Sequence, residues 1–296
     1  MVVPRETRRA YDYCLRLARA HYENFPVASW LLPAAMRPHV AAVYAFARIA
    51  DDFADEGAAA ESERLDRLAA WRTRLHASAG GAADPGGPHA EVFVALRHSM
   101  GACSLPVELF DDLLSAFAQD VTTRRYETWA EVLDYCRRSA NPVGRLVLRI
   151  AGRATPAMDQ ASDAVCTALQ LANFWQDFAI DWSRGRLYVP ADVWRDRGAS
   201  TESLDPNALD PAWRSSLREC CARTRELFAR GRSVSDGVSG RLRFELRLTW
   251  LGGMRVLEKV EHADFDVVHH RPSLGAADAA PILWGALRWP REHRAH

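Results

Sequence analysis

The chain lacks any long hydrophobic run. None of its 296 residues falls in a stretch approaching the roughly 20 apolar residues needed to cross a bilayer. The opening MVVPRETRRAYDYC carries charges but no apolar core of the kind a secretory signal requires. A cytoplasmic protein is expected, with contact at a membrane surface left open. Lysine is nearly absent. Lys259 stands alone, and arginine supplies every other fixed side-chain cation, which reads as the coding bias of a GC-rich genome. Net charge is absent too: Lys+Arg and Asp+Glu are both 38, so nucleic acid is not an expected partner. The six cysteines form neither a CxxC pair nor a Cys/His zinc spacing, which suits free thiols in a reducing compartment.

Strand alternation is missing as well, and helical periodicity takes its place. The pattern predicts an all-α protein with helices near 4–22, 37–55, 61–77, 89–102, 106–120, 129–151, 157–182, 211–236, 241–262 and 276–288. Thr128-Trp-Ala-Glu131 looks like a capping box. Pro106 suits a helix start, and Pro142 should kink the helix that contains it. The Gly/Pro-rich stretch Ala77–His89 reads as a surface loop or a linker. The helices on either side look too few for separate cores, so one domain spanning 1–296 is expected.

Two acidic stripes stand out. In Arg48-Ile-Ala-Asp51-Asp52-Phe-Ala-Asp55, the carboxylates of Asp51 and Asp55 are four apart and share a helix face. Arg48 and Tyr44 extend the same stripe, and the rest of the helix is apolar. In the second segment, Gln170, Asn173, Asp177 and Asp181 step by three, four and four along an otherwise apolar helix. Such a helix should be buried, and a buried carboxylate needs a partner or a metal. All-oxygen donors favour Mg²⁺, which takes a few carboxylates plus phosphate and water. A diphosphate held this way can leave as its C–O bond ionises, and apolar and aromatic walls would hold the carbocation. The competing reading is an ion-pair network, with Asp177 and Asp181 neutralised by Arg48 or Arg145. Asp111-Asp112 is a near-match to the acidic pattern that carries no such assignment.

These segments together resemble the squalene/phytoene synthase family from about His21 to Leu274. The blocks AVYAFARIADDFAD, DVTTRRYETW, YCRRSANPVG and QLANFWQDFAIDWSRGRLYVP carry the likeness. The resemblance implies an isoprenoid (prenyl) synthase helical fold around a central cavity. It implies Mg²⁺ on Asp51, Asp55, Asp177 and Asp181, with Asp52 beside them in the catalytic set. Arg48, Tyr44, Arg138, Gln170, Asn173, Gln176, Arg186 and Tyr188 would line the substrate site, and Tyr135 would lie near the reacting carbons. The partner it implies is an isoprenoid diphosphate, with neighbouring squalene-pathway enzymes as further contacts.

The departures from the family pattern carry information of their own. Tyr22-Glu23-Asn24-Phe25 replaces a small-basic-Ser-Phe sequence. Gln176 and Ile180 replace an arginine and a glutamate of the second acidic motif, and no lysine follows Arg271. Three cations are lost, which suits a substrate with one diphosphate rather than two. The departures resemble the bacterial branch that converts presqualene diphosphate to hydroxysqualene for hopanoid synthesis, a reaction that uses no NAD(P)H. Head-to-head condensation of two prenyl diphosphates is the alternative. A non-catalytic helical binding protein on the same fold is a second. Pro281–Trp289 also suggests a membrane-surface contact, against the simpler reading of a helix that covers the core.

Overall fold

The computed structural model describes residues 3–20, 31–55, 59–82, 84–205, 208–269 and 271–290. They are helical, and the only strand-like pairings among them are two isolated bridges, Arg125 with Leu187 and Asp205 with Ala208. The Tyr22–Phe25 departure lies outside the described residues.

The chain groups into two compact units, one of residues 1–123 and 137–159, the other of 124–136 and 160–296. The expected loop 77–89 starts later, because residues 77–79 are helical, and the stretch lies wholly within the first unit and therefore links no units. Arg74 fastens it: the guanidinium makes two bonds to Asp84, at 2.8 and 2.7 Å, and a third to the Pro88 carbonyl at 2.7 Å.

In the first unit, α1 (Arg5–Ala20), α3 (Glu61–Ala79), α4 (Ala90–Cys103), α5 (Val107–Thr122) and α7 (Asn141–Ile150) all pack on or around α2 (Arg37–Asp55). Alanines at 41, 42, 45, 50 and 54 are fully buried on α2 and give its neighbours room to approach. Phe46 fills the centre and meets Trp71, Phe93 and Phe110 at ring separations of 5.8, 6.3 and 5.4 Å. Burying such rings contributes about 2–3 kcal/mol each. Asp111 and Asp112 are ordinary surface ion pairs, the former with Arg72 and His76 and the latter with Arg137.

In the second unit, most of α8 (Pro156–Gln176) is followed by α9 (Phe178–Ser183), α10 (Ala191–Arg195), α11 (Pro211–Gly231), a 3-10 turn over Arg232–Gly237, α12 (Gly240–His262) and α13 (Ala276–Leu287). Trp175 is fully buried and donates its indole N–H to Thr224 Oγ1 at 2.8 Å. Gly231 and Gly253 are close-approach points. A Cβ would sit 2.5 Å from Val165 at the first and 2.5 Å from Phe228 at the second.

Two predicted helices are each broken once, and a third, near 211–236, is α-helical only to Gly231 and continues as the 3-10 turn. The one near 129–151 divides into α6 (Trp129–Ser139) and α7 at Ala140, because Pro142 lacks the N–H that would continue the ladder. Thr128 caps α6 through the Glu131 N–H at 3.2 Å, while Glu131 reaches back to the Glu127 N–H at 2.8 Å, one residue earlier than the standard box. The one near 157–182 divides at Asp177, whose backbone has φ −96 and ψ 9. The short α10 is additional to the prediction; a five-residue helix carries too little periodicity to register.

Candidate functional site

The first stripe sits at the C-terminal end of α2. Its face borders an apolar cavity of about 270 Å³, with Val40, Val43 and Ala47 on one wall and Val143, Leu146 and Val147 of α7 on another. Tyr44, Arg48, Asp51 and Ser139 are its polar members. Ser139, the last residue of α6, presents a small side chain to the cavity. Arg48 lies 3.6 Å from Asp51 and 2.6 Å from Asp52. Asp51 is half-buried and Asp55 exposed. From α3, Arg64 donates to the Ala54 carbonyl at 2.7 Å, which adds a cation at the helix C-terminus, where the backbone dipole favours one. Burial pushes the Tyr44 hydroxyl above its ordinary pKa, so it stays protonated at neutral pH. Arg138, expected at the substrate, donates to Gln119 and to Ser115 Oγ, the latter at 3.1 Å.

The second stripe differs from its expected form. Its helix is not buried all round: Asn173 and Ile180 are exposed, and Gln170, Gln176, Asp177 and Asp181 are half-buried. The apolar residues Leu171, Ala172, Phe174, Trp175 and Phe178 are the buried ones, so the polar stripe marks the open side of the segment. Backbone bonds bridge the break, from Asp177 N to Asn173 O at 2.8 Å and from Asp181 N to Asp177 O at 2.9 Å. The four-residue spacing therefore survives without a continuous helix. After α9 the chain makes a Schellman turn. Gly185 takes φ 77, its N–H reaches Trp182 O at 2.9 Å, and Arg186 N reaches Asp181 O at 2.8 Å.

Asp177 has an arginine partner that is neither Arg48 nor Arg145. Arg271 grips its carboxylate with two N–H groups, one to Oδ1 and one to Oδ2 at 3.2 Å. The pairing raises the arginine's pKa further. Asn173 donates to the same Oδ2 at 3.0 Å. Gln176, the residue in the arginine's place, donates its amide to the Pro272 carbonyl. Gln176 and Asp177 thus hold one end of segment 271–275, and Lys259 holds the other through Ser273 O at 2.8 Å. Nothing in the local pattern around Asp177 pointed to Arg271.

Tyr135 and Tyr188 come together in a buried aromatic cluster of the second unit. Tyr188 stacks on Phe174 at 3.7 Å, and Tyr135 lies 5.9 Å from Phe174 and 6.2 Å from Tyr188. Tyr126 joins at 5.8 Å from Tyr188, carried by backbone bonds between 124–127 and 187–192.

Among the described residues no three His, Cys, Asp or Glu side chains converge as a ready-made metal cage. Mg²⁺ does not demand one, because one or two carboxylates with phosphate and water complete its octahedron. The all-oxygen donors of each stripe fit that ion.

The squalene/phytoene synthase family matches residues 18–278 of the chain. The chain belongs to this family. Hydroxysqualene synthase of Rhodopseudomonas palustris is 35% identical over 292 residues, covering 95% of this chain and 97% of that protein. Hydroxysqualene synthase of Sinorhizobium fredii is 38% identical over 226 residues, 76% of this chain and 74% of that one. Among solved structures, the squalene synthase HpnC from Alicyclobacillus acidocaldarius superposes with a TM-score of 0.82 at 37% identity, covering 89% of this chain and 97% of that one. The protein is therefore an enzyme of the prenyl diphosphate synthase type, with the isoprenoid synthase helical fold.

Proposed function

We propose that this enzyme converts presqualene diphosphate to hydroxysqualene and diphosphate in an Mg²⁺-dependent reaction. The observation that carries the reading is Gln176. Where the family motif has an arginine, this chain has a neutral amide, and that amide is spent on Pro272. Fewer cations suit one diphosphate rather than a pair. The hydroxysqualene synthases among its relatives support the same branch.

Bound Mg²⁺ would supply charge stabilisation to the departing diphosphate. In each stripe the carboxylates, Asp51 and Asp55 in one and Asp177 and Asp181 in the other, would hold such an ion. Arg48 and Arg271 bring fixed cations for phosphate oxygens. The apolar cavity beside Tyr44 and Val143 holds hydrocarbon and excludes water from it. The bond between carbon and the diphosphate oxygen breaks with its electron pair on oxygen. The cyclopropylcarbinyl cation rearranges, with aromatic faces such as those of Tyr135 and Tyr188 favouring positive charge. Water adds to the product cation and loses one proton to solvent. No electrons are gained or lost, so NAD(P)H is not needed.

The test is incubation of the purified protein with presqualene diphosphate, Mg²⁺ and H₂¹⁸O, without NADPH. A labelled alcohol is expected. A hydrocarbon formed only with NADPH would overturn the reading. Turnover of farnesyl diphosphate to a condensed product would favour head-to-head condensation, which the 30% identity to phytoene synthase of Thermus thermophilus keeps as the second reading.

A further inference from the structure

Five large apolar side chains of the described residues are conspicuously exposed, and four of them fall between residues 274 and 287. They are Leu274 at 45%, Leu283 at 46%, Trp284 at 56% and Leu287 at 69%. On α13, Ala280, Leu283, Trp284 and Leu287 step by three and four and so share one face. The helix is not loose. Its first turn is pinned by Asp278, which bonds Arg255 at 2.9 Å, Lys259 at 2.6 Å and the Gly275 N–H at 2.8 Å. Its inner face packs on α12: Ala286 is fully buried, and a Cβ on Gly285 would lie 3.1 Å from Leu251. Its far end is held where Arg232 donates to Pro290 O at 2.7 Å. The outward apolar stripe is thus a fixed surface on a well-anchored helix.

We propose that this stripe docks α13 flat on a membrane surface bearing anionic headgroups. Charge argues for that occupant. The exposed face of α13 carries no acid, since its one carboxylate, Asp278, is buried and paired. Cations gather at one end of the stripe. Arg288 stacks 4.2 Å over the exposed Trp284 ring and Arg232 stands 4.3 Å over buried Trp289, while Arg247, 5.4 Å from the same ring, is already paired with Asp236 at 3.7 Å and adds no free charge. An apolar face with an indole at its edge and guanidinium groups beside it matches the acyl–headgroup boundary. No described helix is long and apolar enough to cross a membrane, so the contact lies in the surface plane. A second copy of the chain fits less well. It would bring another Arg288 with no acid to meet it, and a helix of twelve residues, about 18 Å long, is small against the roughly 800 Å² per partner of a stable dimer. The inference stands apart from the reaction proposed above, and its test uses no substrate.

The experiment is co-sedimentation of the full chain with phosphatidylcholine vesicles, with and without phosphatidylglycerol, alongside light scattering to read the oligomeric state. Wild type should bind the anionic vesicles, and more weakly as salt rises. Leu283→Gln with Leu287→Gln should cut partitioning by about tenfold or more, and Arg288→Gln should lower it on anionic vesicles alone. Circular dichroism should show unchanged helicity, because these side chains are exposed; Trp284→Ala is the second variant should the double one misfold. Wild type that ignores anionic vesicles overturns the proposal. So does a double variant that binds like wild type, or a wild-type dimer that the double variant turns into monomer.

Discussion

The two acidic stripes look alike in sequence and are built differently. On α2 the stripe runs along an unbroken helix and its cation is local, Arg48, one turn before the carboxylates. On α8 and α9 the helix breaks at the key aspartate, and the cation comes from Arg271, 94 positions further along. A local pair persists as long as its helix does. A distant pair persists only while segment 271–275 stays docked. The same i, i+4 spelling thus gives a self-contained site in one case and a site that depends on a strap in the other.

The largest expected effect tests both stripes at once. Asp51→Asn and Asp177→Asn each remove one negative charge with little change in shape. Each should lower turnover of presqualene diphosphate by about 10²-fold or more, as should EDTA on the wild type. The comparison predicts a difference in the metal-free protein. Asp51→Asn leaves Arg48 paired with Asp52 at 2.6 Å, so α2 should be unchanged. Asp177→Asn removes the charge that holds Arg271, so amide exchange should quicken across 271–275. Equal exchange in the two variants would show that the strap does not depend on Asp177. Full turnover in either variant would remove its carboxylate from the metal assignment.

How much of this was legible follows from the range of each interaction. The α6 cap was readable because Thr128 and Glu131 are three residues apart and act on neighbouring N–H groups. The kink at Ala140 was readable because Pro142 breaks the ladder by its own chemistry. The break at Asp177 was not, since NFWQDFAID holds neither Gly nor Pro to mark it and the four-residue spacing holds on both sides of it. Arg271 was recognised as a family position but not as the partner of Asp177. Pairing across such a separation depends on how α12 and the segment after it return to α8. The side-chain partners of Arg138, Gln119 and Ser115 of α5, were likewise not legible, because they lie 19 and 23 positions away on another helix.

Gln176→Arg sharpens the comparison with a smaller effect. A guanidinium there could still donate to Pro272 O, so the variable changed is charge. It would add a cation to the segment that already carries Arg271. At an effective dielectric near 20, a like charge about 6 Å from a developing carbocation costs on the order of 2–3 kcal/mol. That slows ionisation by more than tenfold. Steady-state turnover should fall accordingly while circular dichroism stays unchanged. A folded variant with wild-type turnover would mean that the missing arginine does not set the reaction, and the charge argument for one diphosphate would lose its support.

The smallest expected effect concerns what anchors each stripe at a distance. At the far end of α2, Tyr11 of α1 bonds His39 at 3.0 Å, His98 of α4 at 2.8 Å and Ser99 at 2.9 Å. The two imidazoles lie parallel at 6.1 Å. Burial, and then the neighbouring His98, lower the His39 pKa below its ordinary value, while burial pushes the Tyr11 hydroxyl up to about 12. The unfolded chain therefore takes up a proton at His39 before the folded one does. Stability from this group is present above pH about 6.5 and is lost as pH falls from there towards the lowered folded value. The second unit ties its strap through guanidinium and ammonium groups, and the Asp278 carboxyl is held well below its usual range by the Gly275 N–H and by Lys259 and Arg255. That arrangement keeps its charges at pH values where His39 is already strained. Mild acid should therefore loosen α1, α2 and α4 before α12 and α13, by a few degrees in melting temperature at most, and His39→Gln should flatten the dependence. Hydrogen exchange across pH 7 to 5 distinguishes the two regions. Protection lost first around Asp278, or a melting curve as pH-dependent in His39→Gln as in wild type, would place the acid-sensitive joint outside the histidine cluster.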